Sequence, residues 1–164
     1  MTADKATIPI QHLAPPHRGP SIVFSRDDAS SAGKASAVPA RILIVEDEFL
    51  VASDMGAVLT EAGFEIVGVA SSAEEALELA EAQRPALAVM DIRLAGKRDG
   101  IDAALELFGT YGIRCVFATA HHDEGTKARA QPANPLAWVP KPYAMASLIE
   151  AVRVALQDLR GDKK

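Results

Sequence analysis

The chain has 164 residues, 49% of them apolar, and a formal net charge of −5, which suits one soluble domain plus an appendage and leaves little room for two. Residues 41–164 carry 13 basic and 19 acidic side chains, an argument against nucleic acid as a direct partner because phosphate contacts need clustered Lys and Arg. The lone cysteine, Cys115, excludes an internal disulfide. With no signal-like start and no apolar run near the ~20 residues of a membrane span, the expected location is the cytoplasm, with no membrane partner.

Residues 1–40 hold five of the ten prolines, Pro9, Pro15, Pro16, Pro20 and Pro39, among scattered Ser, Ala and Asp. Such text buries little apolar surface and predicts a disordered extension, in which Ser21–Ser25 is the only strand-like fragment. A folded domain is expected over 41–160, with 161–164 as a tail.

From Arg41 onward strand and helix signals alternate. Ile42-Leu43-Ile44-Val45 is an unbroken four-residue apolar run, the mark of a strand buried on both faces. A first helix is predicted from about Phe49 to Ala62, stopping at Gly63, which suits a left-handed turn. Strand 2 follows at Glu65–Ala70, and Ser72-Ala73-Glu74-Glu75 has capping-box spacing for helix 2, which ends before Pro85. Strand 3 is Leu87–Met90, helix 3 lies around Ile101–Phe108, and strand 4 is Cys115–Ala118. His122–Gln131 predicts a short helix 4, because Pro132 and Pro135 bar extension. Strand 5 is Leu136–Val139, and helix 5 spans about Ala144–Arg160 with a stripe of Met145, Leu148, Ile149, Val152, Leu156 and Leu159. Five strands alternating with five helices predict an α/β fold with a doubly wound parallel sheet.

In such folds ligands bind beyond the carboxyl ends of the strands. Those positions read Glu46 and Asp47 after strand 1, Asp91 after strand 3, Thr119 after strand 4 and Lys141 after strand 5. Two carboxylates ~5 Å apart repel by roughly 3 kcal/mol at an effective dielectric near 20, so a cation is expected among them. No His or Cys cluster suggests zinc, whereas an oxygen donor set suits Mg²⁺. The chemistry that fits is attack of the Asp91 carboxylate on a phosphoryl group, with Thr119 and Lys141 bonding its oxygens, to give an aspartyl phosphate.

Ile44-Val45-Glu46-Asp47-Glu48, Asp91 at a strand end, Phe117-Ala118-Thr119-Ala120 and Lys141-Pro142-Tyr143 together resemble the bacterial response-regulator receiver family over residues 41–160. Phe117-Ala118-Thr119 with Trp138-Val139-Pro140-Lys141-Pro142-Tyr143 resembles its single-domain subgroup with a Phe-Ala-Thr signature, although Ala120 stands where that subgroup has glycine. The resemblance implies a flavodoxin-like (βα)5 fold of strand order 2-1-3-4-5. It implies Mg²⁺ held directly by Asp47 and Asp91, through water by Glu46, and by the backbone carbonyl of Arg93, with a cis Lys141–Pro142 bond. It implies phosphorylation by a sensor histidine kinase or histidine phosphotransfer protein and signalling to a downstream protein target. The loop after Asp91 lacks the family's usual proline and is about one residue longer, so a more mobile loop is expected.

Arg93 and His121 lie two residues beyond Asp91 and Thr119, where they either screen the phosphoryl group from water or are plain solvated residues. Trp138 is either a switch aromatic that moves with Thr119 on activation or a permanently packed one. Only 23 residues follow Lys141, which predicts a stand-alone regulator without a DNA-binding output domain, read through strand 5 and helices 4 and 5. A homodimer is possible, though no exposed apolar stripe demands one. Two other readings remain open at this point: a phosphatase of the haloacid-dehalogenase type, disfavoured because Glu46-Asp47-Glu48 lacks a D-x-D pattern, and an interaction domain that keeps the fold without phosphotransfer.

Overall fold

The apolar runs place five parallel strands side by side in the order β2-β1-β3-β4-β5: β1 (Arg41–Val45), β2 (Glu65–Ala70), β3 (Leu87–Met90), β4 (Cys115–Thr119) and β5 (Ala137–Pro140). This computed structural model describes residues 38–161, so the extension read over 1–40 falls, except for its last three residues, outside the described part. The strands are joined by α1 (Phe49–Glu61), α2 (Ala73–Gln83), α3 (Gly100–Tyr111) and α4 (Glu124–Ala130), and α5 (Met145–Gly161) follows β5. Order and class agree with the flavodoxin-like prediction.

Side chains alternate across the sheet with the two-residue period of a strand. Leu43, Val45, Ala88, Met90, Cys115 and Phe117 pack among buried residues of α2 and α3. Ile42, Ile44, Leu87, Val89, Val116, Ala118 and Val139 pack instead with α1 and α5. Both faces are covered, which explains why β1, β3 and β4 read as unbroken apolar runs.

Element ends follow local chemistry. Gly63 (φ 93°) takes the left-handed turn foreseen after α1, and the Ser72 side chain caps α2 by accepting from Glu75 N. Helix α3 runs three residues past the expected Phe108, through Gly109, and turns at Gly112 (φ 69°), which adopts that left-handed geometry without steric cost. Helix α4 starts two residues later than expected because Asp123 is its cap, accepting from Thr126 N. It gives way at Gln131–Ala133 to a single 3-10 turn containing Pro132, in line with the short helix read from the prolines.

Backbone bonds continue the ladder beyond the strands and set the positions of their tips. Glu46 N donates to Ala70 O (2.9 Å), Asp91 N to Val45 O (2.8 Å) and Lys141 N to Thr119 O (2.9 Å). The residues that follow β1, β3 and β5 are thus held as firmly as strand residues, on the one edge where a parallel sheet gathers its carboxyl ends.

Candidate functional site

Because β1 and β3 are neighbours, Glu46 and Asp91 emerge side by side. The Lys141 ammonium arrives from the tip of β5 and donates to both, at 2.6 Å from Glu46 Oε2 and 2.7 Å from Asp91 Oδ2. The other Asp91 oxygen, Oδ1, accepts from Ile92 N at 2.6 Å and from Arg93 N at 3.4 Å. Glu46 is 2% exposed, and its Oε1 accepts from Glu48 N at 3.2 Å. Every carboxylate oxygen of this pair therefore has a donor, as buried charge requires.

Burial, aided by the Asp91 charge, pushes the Glu46 carboxyl above its ordinary 4.5 despite the opposing pull of Lys141. For Lys141 burial acts to lower the ammonium, but the hydrogen bonds and charges of Asp91 and Glu46 outweigh it and hold the group above its ordinary 10.5. The lysine stays protonated throughout the physiological range.

Above this bridge opens a cavity of about 400 Å³ lined by Asp47, Glu48, Asp91, Arg93, Ala120, His121 and Lys141. Asp47, Arg93 and His121 are exposed at its wall. Thr119, 1% exposed, ends β4 beside the site without lining the cavity, and its hydroxyl accepts from His121 N at 3.1 Å. Lys141–Pro142 is cis. Trp138 is half-buried and stacked on Phe117, centroids 4.6 Å apart and planes 22° from parallel, on the α2–α3 side of the sheet.

The structure thus brings Glu46, Asp91 and Lys141 into contact and places Asp47, Arg93 and His121 around the same opening, with Thr119 buried beside it and Trp138 stacked on Phe117 in the neighbouring layer. The Lys141 ammonium itself lies between two of the carboxylates, and among the described residues no cluster of three or more His, Cys, Asp or Glu is close enough to form a metal site by itself. One expectation changes. The loop after Asp91 is anchored, not loose: Ala95 N donates to Ser71 O (3.0 Å), Ala95 bridges Ser72, and Gly100 N donates to Ile92 O (2.7 Å).

Two residues near the site were not singled out from sequence. Glu48 lines the cavity, and its only signal was being the third acid of a run. The Tyr143 hydroxyl is buried without a hydrogen bond, and burial pushes its pKa up. Cys115, fully buried with its thiol pushed up to about 12, has no nucleophilic role.

A sequence profile of the response regulator receiver domain matches residues 42–153. The transcriptional regulatory protein PdtaR of Mycobacterium tuberculosis is 41% identical over 125 residues, 76% of this chain and 60% of that protein. The phyllosphere-induced regulator PhyR of Methylorubrum extorquens is 36% identical over 135 residues, 80% of this chain and 49% of that protein. Among solved structures, the receiver domain of a modulated diguanylate cyclase from Desulfovibrio desulfuricans superposes with TM-score 0.70 at 31% identity, over 76% of this chain and 98% of that one. This chain therefore spans about half to three-fifths of the curated relatives' length. With the profile over most of the folded part, the strand order 2-1-3-4-5 and relatives above 30% identity, the chain belongs to the response-regulator receiver family of two-component signalling.

Proposed function

We propose that this protein accepts a phosphoryl group on Asp91 from a phosphohistidine of a sensor histidine kinase or a histidine phosphotransfer protein, and relays that event by protein–protein contact. The observation that carries this reading is the Lys141 ammonium shared between Asp91 Oδ2 and Glu46 Oε2 under a cavity open to solvent. An Asp91 oxygen attacks phosphorus, the phosphorus–nitrogen bond of the donor breaks, and the imidazole leaves with its electron pair and takes up a proton. The product is an acyl phosphate carrying about −1.5 to −2 charges, whose oxygens Lys141 and the Thr119 hydroxyl would bond.

Asp47 and Asp91 offer carboxylate oxygens to the cavity, with the buried Glu46 behind them on Lys141, a donor set that fits a hard cation keeping several of its waters. Asp47 and Asp91 would hold Mg²⁺ directly, Glu46 through water, and the Arg93 carbonyl would complete the protein ligands. When bound, the ion neutralises charge on the transferring phosphoryl oxygens. Lys141 must then yield part of its hold on the carboxylates and turn toward the phosphoryl group.

Arg93 and His121 stand at the cavity wall, where they limit the approach of water to the acyl phosphate. Phe49 and Leu50, 80% and 75% exposed at the start of α1, sit next in sequence to the cavity residues Asp47 and Glu48 and offer apolar footing to the donor protein. Moving a two-state surface from 1:99 to 99:1 takes about 5.5 kcal/mol. New charge-assisted bonds from Thr119 and Lys141, at ~1.5–3 kcal/mol each, supply much of that. The surface that responds comprises α4, β5 with Trp138, and α5. A phosphotransfer profile against autophosphorylated histidine kinases tests the proposal: rapid transfer to the wild type and none to Asp91→Asn is expected, and equal labelling of both contradicts it.

A further inference from the structure

Helix α4 is joined to the phosphoacceptor loop by a tether that the reaction does not itself require. Arg129, in the last turn of α4, places one guanidinium nitrogen 2.7 Å from Asp99 Oδ1, 2.6 Å from Asp99 Oδ2 and 3.1 Å from Asp102 Oδ1. Asp99 is the N-cap of α3, accepting from Ile101 N and Asp102 N at 3.0 Å each, while Asp102 completes a capping box by accepting from Asp99 N. The next residue, Gly100, is packed so closely on the Asp91 main chain that a β-carbon there would overlap the Asp91 carbonyl oxygen. An unbroken line of contacts thus runs from the Asp91 backbone through Gly100 and the Asp99 cap to Arg129.

A second line already leads from the site to α4: Thr119, whose hydroxyl accepts from His121 N, opens the segment that leads into that helix. The two lines enclose a loop of structure, so a shift of α4 in response to Thr119 either breaks the Arg129 bridge or pulls on the α3 cap behind Asp91. Lys127, on the same helix, has only a local partner, Glu124 at 3.4 Å.

We propose that the Arg129–Asp99/Asp102 bridge is a conformational latch that holds α4 in its unphosphorylated placement and couples that placement to the Asp91 loop. The kinetic part rests on Asp91 being the acceptor; the mechanical part does not. Breaking the latch removes an interaction that favours the unmodified state, so Asp91 becomes easier to phosphorylate. For a half-exposed ion pair the expected gain is about two- to fivefold.

The test compares wild type, Arg129→Gln, Arg129→Lys and the control Lys127→Gln. In unmodified protein, hydrogen exchange should quicken severalfold in Arg129→Gln both in α4 and at the amides of Gly100 to Asp102, should be largely restored in Arg129→Lys, and should stay at the wild-type level near Asp91 in Lys127→Gln. With acetyl phosphate and Mg²⁺, Arg129→Gln should be labelled about two- to fivefold faster than wild type. Faster exchange confined to α4, or labelling at or below the wild-type rate, overturns the latch. A wild type that takes up no phosphoryl group sinks the acceptor reading instead, and the exchange comparison then decides the mechanical coupling alone.

Discussion

The Lys141 ammonium and the Asp91 carboxylate lie 2.7 Å apart although fifty residues separate them in sequence. The same nitrogen also reaches Glu46. One lysine thus bridges two carboxylates and offsets one of their two charges, at the place where a divalent cation is proposed to bind. This makes the metal and the ammonium competitors for the same oxygens.

That competition has a measurable consequence. In Lys141→Met the positive charge a few ångströms from the proposed ion is gone, and Mg²⁺ should bind about tenfold more tightly or better, on Coulomb grounds at an effective dielectric between those of protein and water. Titration calorimetry, or the fluorescence of the lone Trp138, reads the affinity. Unchanged or weaker binding would show that the lysine and the metal do not share these oxygens.

The same substitution sets a pH dependence. Lys141 sits above its ordinary 10.5, so its contribution to stability is complete below that value and is lost only as pH rises through the higher folded one. Removing it strands Glu46, a buried acid already raised above 4.5. An acid raised in the folded state costs stability as pH climbs from the unfolded value through the folded one. In metal-free buffer the deficit of Lys141→Met in urea unfolding should be small near ~pH 4 and grow to about 2 kcal/mol near ~pH 7. A deficit that shrinks with rising pH would contradict the assignment.

Tyr143 offers a test of opposite sign. Its hydroxyl is buried and makes no hydrogen bond, so deleting it in Tyr143→Phe removes a desolvation cost and keeps the ring packed against the α1–α5 core. Stability should be unchanged or higher by up to about 1 kcal/mol. A loss of similar size would reveal a partner for the hydroxyl.

Gly100 is constrained by proximity to the Asp91 carbonyl and not by its backbone angles. Gly100→Ala should cost about 3 kcal/mol and lower the thermal midpoint, because the clash is with main chain that cannot swing aside. The comparison is Gly109→Ala on the same helix, where a β-carbon meets nothing within 4 Å and should stabilise by about 0.5–1 kcal/mol. Similar midpoints for the two variants would mean that α3 does not rest on Asp91 as described.

The fold was legible because doubly buried strands leave unbroken apolar runs, and because Gly63 and the prolines after α4 act through local geometry. The tips of β1 and β3 were legible for the same reason, since each ends where its apolar run meets an acid, and those of β4 and β5 fall one residue beyond the ends read from sequence. What stayed hidden depends on non-local contact. Sequence argued that the carboxylates needed a cation but not that Lys141 would supply it. The loop after Asp91 looked loose without its proline, yet it is pinned by backbone atoms of Ser71 and by Ile92, which leave no trace in residue type. The Asp99 capping box escaped notice because it is built from two aspartates, and its partner Arg129 lies thirty residues away.

If Asp91 is the nucleophile of a Mg²⁺-dependent phosphoryl acceptor, incubation with acetyl phosphate, with and without Mg²⁺, followed by intact mass and peptide mapping, reveals it. One added phosphoryl group is expected, dependent on Mg²⁺, located on the peptide containing Asp91 and absent from Asp91→Asn. An inert wild type, continuous phosphate release without an adduct, or an adduct that persists in Asp91→Asn would contradict it.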